Sequence, residues 1–169
     1  MRFTIRPLTS DDATAFHAIR RTSLELAPQA FSSSPEDDRF ATIEATRATL
    51  GASSNATVFG AFTGDHLIGI VGVTRPTRRK TKHVASLQSM FVEPEHRGSG
   101  AASALVGAAC EHARTIGCEQ MILSVSETAL AARKLYARHH FEEWGRQPRA
   151  IFDGDKYIDV LKMWRDLTA

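Results

Sequence analysis

The chain has 169 residues, 43% apolar and 24% charged, with a formal net charge of +2. That length supports a full hydrophobic core, the composition is that of an ordinary globular protein, and so small a net charge gives no argument for nucleic acid by itself. No apolar run approaches spanning length, Met1-Arg2-Phe3-Thr4-Ile5-Arg6 lacks the apolar core of a secretory leader, and Cys110 and Cys118 make no disulfide framework. The expectation is one cytoplasmic domain over residues 1–169, monomer or homodimer, with no membrane partner.

Phe3–Pro7 reads as a short strand, and Ser10 or Asp11 as the cap of a helix carrying Ala15, Phe16, Ile19, Leu24 and Leu26 at helical spacing, stopped near Pro28. Pro35-Glu36-Asp37-Asp38 predicts the acidic first turn of a second helix that Gly51 ends. Thr57–Phe62 and Leu67–Thr74 are predicted strands joined across Gly64-Asp65. A basic loop, Arg75 to Lys82, leads into a long strand, His83–Val92. An alanine-rich helix follows Arg97 and runs through Ala113 to Gly117. Then come a strand Gln120–Ser126, a helix from about Thr128, and closing strands Phe141–Gly145 and Tyr157–Trp164 around Asp153-Gly154-Asp155. The order is that of one mixed α/β sheet flanked by helices.

The most informative stretch is Met90-Phe91-Val92 through Arg97-Gly98-Ser99-Gly100-Ala101-Ala102: strand, proline-stopped turn, and a helix opening without bulky side chains. Free N–H groups and the helix dipole favour an anion there. A P-loop needs Lys-Ser/Thr where Ala101-Ala102 stands, which excludes it. A dinucleotide fold needs a third glycine where Ser103 stands and a tight turn, not the five residues separating Val92 from Gly98.

Arg97-x-x-Gly100-x-Ala102, preceded by Val92-Glu93-Pro94-Glu95-His96, resembles the acetyl-CoA motif of the GNAT family of N-acetyltransferases. Ile5-Arg6-Pro7-Leu8-Thr9, Leu135-Tyr136 with Phe141, and Tyr157-Ile158-Asp159 with Met163 are similar to family elements in the same order. The resemblance implies a mostly antiparallel acyl-CoA N-acyltransferase sheet and acetyl-CoA as cosubstrate. It also implies direct attack by a small-molecule amine, a protein N-terminus or a lysine, with no metal. Gly98 to Ala102 would hold the pyrophosphate through the main chain, with Arg97 adding charge, and Met90, Phe91 and Val92 would bond the pantetheine arm. Val92 N–H would face the thioester carbonyl, and Tyr136 would protonate the departing thiolate. The family's usual base positions align with Ser86 and Ser124, which points to a water relay or to Glu25, His83 or Glu127. Ala129 stands where relatives often have an asparagine, and His140 replaces the glycine of a tight turn.

The loop Ala27 to Pro35, with Phe31 and the neighbouring Glu25, is the candidate acceptor wall. The basic run Arg75, Arg78, Arg79, Lys80 and Lys82 is read as a solvated hairpin loop, with an acidic substrate, an RNA surface or the 3′-phosphate of CoA as sharper alternatives. His112 and His139-His140 lack metal-ligand spacing. The alternative function is a CoA-binding or sensing domain without turnover.

Overall fold

The computed structural model describes residues 2–51 and 53–168. Seven strands form one open sheet in the order β1-β2-β3-β4-β5-β7-β6. They are β1 Thr4–Pro7, β2 Ala56–Thr63, β3 His66–Thr74, β4 Val84–Val92, β5 Gln120–Ser126, β6 Glu142–Phe152 and β7 Tyr157–Asp166. Every neighbouring pair is antiparallel except β4–β5. A parallel pair requires a crossover, and α3 (Ala101–Thr115) supplies it. The other helices are α1 (Ala13–Leu26), α2 (Ile43–Thr49) and α4 (Leu130–Arg138).

Strand alternation and helical stripes place two cores. Phe16, Ile19 and Leu24 of α1 pack with Phe40, Phe62, Ile70 and Phe91 in one. Leu105, Val106, Ala109 and Ala113 of α3 pack with Val71, Val73, Ala85, Leu87, Met121 and Leu123 in the other. Cys110 is buried here as a small hydrophobe, and burial pushes its thiol pKa up. Among the described residues no helix is long and apolar enough to cross a membrane.

The second helix is shorter than its sequence predicts: residues 35–42 form turns, and α2 begins only at Ile43, capped by Thr42, whose side chain accepts from Ala45 N at 3.1 Å. Asp38 and Phe40 are both buried, Asp38 against Arg20 and Phe40 edge-on to Phe16 at 4.8 Å. Residues two apart lie on opposite sides of a helix, so a surface helix with one buried face would turn one of the two outward, whereas these turns bury both. Strand β6 runs on to Phe152 rather than stopping at Gly145, passing through Pro148 with two register shifts. It is an edge strand, where a missing N–H costs no ladder bond.

Candidate active site

Strands β4 and β5 pair only from Val84–Ser86 to Gln120–Ile122 and then part. Two β3 steps from Ile70 to Gly72 are matched by three β4 steps from Phe91 to Gln88, so β4 carries an extra residue. Ser89, at φ 56°, marks this bulge. Beyond it, Glu93 N donates to Ile68 O at 3.0 Å, and Gly69 faces Val92. Antiparallel pairs alternate, so Val92 occupies a non-hydrogen-bonded position and turns its N–H and C=O away from β3, toward the gap. Arg97 Nε donates to that Val92 carbonyl at 3.4 Å, tying the following loop to the strand end.

The gap ends at the start of α3. Gly98 and Gly100 have φ of 78° and 91°, the left-handed region in which a Cβ is strained. A Cβ at either would meet no protein atom within 4 Å, so the space over the loop is open. Ser99 N bonds His96 O at 3.4 Å and Ala101 N bonds Ser99 Oγ at 3.3 Å. The N–H groups of Gly98, Gly100, Ala102 and Ser103 find no acceptor among the described residues. Small residues, free amides and a helix N-terminus together fit a diphosphate, whose charge and acceptor oxygens they complement.

Tyr136 lies on α4, packed edge-on to Phe141 with ring centroids 5.8 Å apart. It is buried, its hydroxyl bonds no described residue, and that oxygen is not among the sealed polar atoms. Burial raises the phenol pKa well above its ordinary value, which keeps the proton on oxygen at neutral pH. The tight turn after α4 survives without glycine: His140 adopts φ 60°, and Phe141 N bonds Tyr136 O at 3.0 Å. Ser103 Oγ lies 2.7 Å from His139 Nε2, joining the first turn of α3 to the end of α4. Spacing along the chain gave no sign of this contact.

A pocket of about 370 Å³ is lined by Leu26, Pro28, Gln29 and Ala30 on one side and by Ser126, Thr128 and Ala129 on the other. The loop after α1 thus does face a cavity, yet not through the two residues singled out in it. Phe31 is buried in the α1 core beneath the Arg20 guanidinium, 4.9 Å from its ring centroid. Glu25 sits on the outer face of α1, 3.4 Å from Arg21. Gln29 bridges the pocket instead, donating from Nε2 to Asp153 of the β6–β7 turn at 2.8 Å and accepting from Thr128 at 3.4 Å.

Arg20 and Asp38, 5% and 6% exposed, form a two-pronged ion pair at 2.9 Å, and Arg20 also reaches Ser89 Oγ at 3.4 Å, bracing the bulge from α1. Ser86 lies at the last β4–β5 pair, and Ser124 Oγ accepts from Lys162 Nζ at 3.0 Å. The carboxylate of Glu127 is tied to Arg146 and accepts from Asp159 N at 3.2 Å. His83 lines a different pocket, with Arg75, Arg79, Lys82, Ile116 and Gly117, at the C-terminal end of α3. That end is about 22 Å from Gly100 along the helix. Arg75, Arg79, Lys82 and His83 therefore stand far from the free amides at the start of α3.

The chain matches the acetyltransferase (GNAT) family over residues 16–141. Human N-acetyltransferase 8 is 34% identical over 80 residues, 47% of this chain, and the match spans only 34% of that relative's length. An acetyltransferase of the GNAT family from Streptococcus pneumoniae superposes with a TM-score of 0.87 at 28% identity, covering 98% of this chain and 99% of the other. At 19% identity, yncA of Salmonella typhimurium, a putative acetyltransferase solved with acetyl-CoA, shares the fold with a TM-score of 0.85 over 98% and 94% of the two chains. With the family matched across three quarters of its length and the parted sheet in place, the chain belongs to the GNAT acetyltransferases.

Proposed function

We propose that the protein transfers the acetyl group of acetyl-CoA to a primary amine by direct attack, with no covalent enzyme intermediate. The observation that carries this reading is the gap between β4 and β5 ending on the free amides of Gly98, Gly100, Ala102 and Ser103. A thioester supplies the activated acyl group. Met90 and Val92 offer strand backbone to the pantetheine arm as an added strand would be received, whereas Phe91, paired with Ile70 and buried in the α1 core, faces away from the gap; the Gly98 to Ala102 loop with Arg97 takes the pyrophosphate. Val92 N–H donates toward the carbonyl oxygen, where charge develops. Tyr136 keeps a proton on its phenol and gives it to the departing sulfur.

The amine enters from the pocket between the Leu26–Ala30 loop and Ser126–Ala129. Its surplus proton leaves through water held by Ser86 and Ser124, because Glu25, His83 and Glu127 are each engaged or placed elsewhere. Lys162 beside Ser124 disfavours a second cation there and so favours the neutral, nucleophilic amine. The same cation, where a base is expected, also suits a CoA-binding domain that has lost turnover. A thiol-release assay across an amine panel separates the two readings. Turnover that falls at least 100-fold in Tyr136→Phe with little change in KM supports transfer. Absence of thiol release with every amine, alongside intact CoA binding, supports the binding domain.

A further inference from the structure

A second constellation lies outboard of the diphosphate cradle. His66 opens β3 just past the Gly64-Asp65 turn, while Glu93 and His96 flank Pro94-Glu95 in the turn that delivers Arg97. Glu93 N bonds Ile68 O and His96 N bonds Glu93 O, both at 3.0 Å, so hairpin and turn are registered against each other by backbone. The side chains converge as a result. His66 Nε2 lies 2.9 Å from Glu93 Oε2, His96 Nε2 lies 3.8 Å from the same oxygen, and one donor atom from each residue falls within 4.8 Å of the others. Nδ1 of His96 is buried without a partner, so the ring's polar engagement runs entirely through Nε2, aimed at the carboxylate.

We propose that His66, Glu93 and His96 bind one zinc ion. Two imidazole nitrogens and one carboxylate oxygen are a borderline donor set that suits zinc and its first-row neighbours, whereas calcium and magnesium want mostly oxygen. Donors around a tetrahedral zinc stand about 3.3 Å apart, given bonds near ~2.0–2.1 Å, which small side-chain rotations reach from the spacing present. The His66 side chain is 63% exposed, which leaves a fourth position to water. Acetyl transfer does not run through this ion. Its place, directly before Arg97, makes it a staple between the β2–β3 hairpin and the turn that feeds the cradle. The 27-residue separation of His66 from Glu93 hides the trio from any search by spacing.

The test uses the full-length chain without an affinity tag, stripped with chelator and titrated calorimetrically with zinc chloride. Cobalt absorption in the visible reports the ligand field. One equivalent bound at micromolar strength or better, tetrahedral cobalt bands, and at least tenfold weaker binding in both His66→Ala and Glu93→Gln are expected. Zinc should raise the melting temperature of the wild type and not that of His66→Ala, a substitution at an exposed side chain that leaves the fold intact. No heat with the wild type, or binding undiminished in His66→Ala, overturns the proposal. The latter result would mean that the ion sits elsewhere and that Glu93 merely accepts a hydrogen bond from His66 beside the His96 ring.

Discussion

Replacing Gly100 with alanine separates what the loop costs from what it holds. At φ 91° an L-residue carries a torsional penalty of about 1–2 kcal/mol, and the new methyl meets no protein atom within 4 Å, so no clash adds to it. For a chain of this length that lowers Tm by about 2–8 °C, leaving the protein folded at 25 °C. The methyl instead stands in the open space over the amides, where it blocks a bound diphosphate. Losing one charge-assisted hydrogen bond of ~1.5–3 kcal/mol weakens CoA binding by roughly 10- to 150-fold. Gly117→Ala is the control: φ is 80°, the surroundings are equally empty, and it lies at the other end of α3. It should show the same Tm loss and an unchanged Kd. Gly100→Asn sharpens the test, because asparagine tolerates the left-handed region better while filling more space. Its Tm should exceed that of the alanine variant and its affinity should not. Calorimetric Kd values for CoA and scanning-calorimetry Tm values give both readouts. A Kd for Gly100→Ala within twofold of wild type, or an equal loss in Gly117→Ala, would refute the cradle.

Asp38→Ala leaves Arg20 buried and unpaired, which should cost about 3–5 kcal/mol by denaturant titration, whereas replacing both partners with apolar residues should recover most of it. Tyr136 holds its proton more tightly folded than unfolded, so its contribution is complete below the unfolded pKa of about 10 and is lost as pH rises above that. Wild-type stability should therefore fall relative to Tyr136→Phe above pH ~10, by up to about 1.4 kcal/mol per pH unit; parallel curves would contradict the burial argument. His112 and His139 have pKa values lowered chiefly by burial, so they add stability above an unfolded pKa of about 6.5 that fades as pH falls through their folded values. Stability curves of His112→Gln should show a weaker acid decline than wild type. Lys162→Met removes the cation beside Ser124 and should move the bound-amine limb of the kcat profile to higher pH by on the order of half a unit; an unmoved limb would place the acceptor away from Lys162.

Local chemistry made much of this molecule legible. Gly98-Ser99-Gly100-Ala101-Ala102 announces a helix start that leaves its amides uncovered, because the absence of side-chain bulk is itself a sequence property. The strands and α3 were readable because their apolar periods follow from burial on one face or two. Tertiary structure alone decided the rest. Acids and proline at residues 35–38 favour a helix start, yet the turns there bury Asp38 and Phe40 together, which a surface helix with one buried face does not. The Ser89 bulge exists only in the register of β4 against β3, and it is what turns the strand end toward the gap. Arg20 with Asp38, Gln29 with Asp153, Ser124 with Lys162 and His66 with Glu93 lie 18, 124, 38 and 27 residues apart. Pairings of that kind are fixed by how the sheet and its loops pack in three dimensions, and one-dimensional spacing carries no record of them.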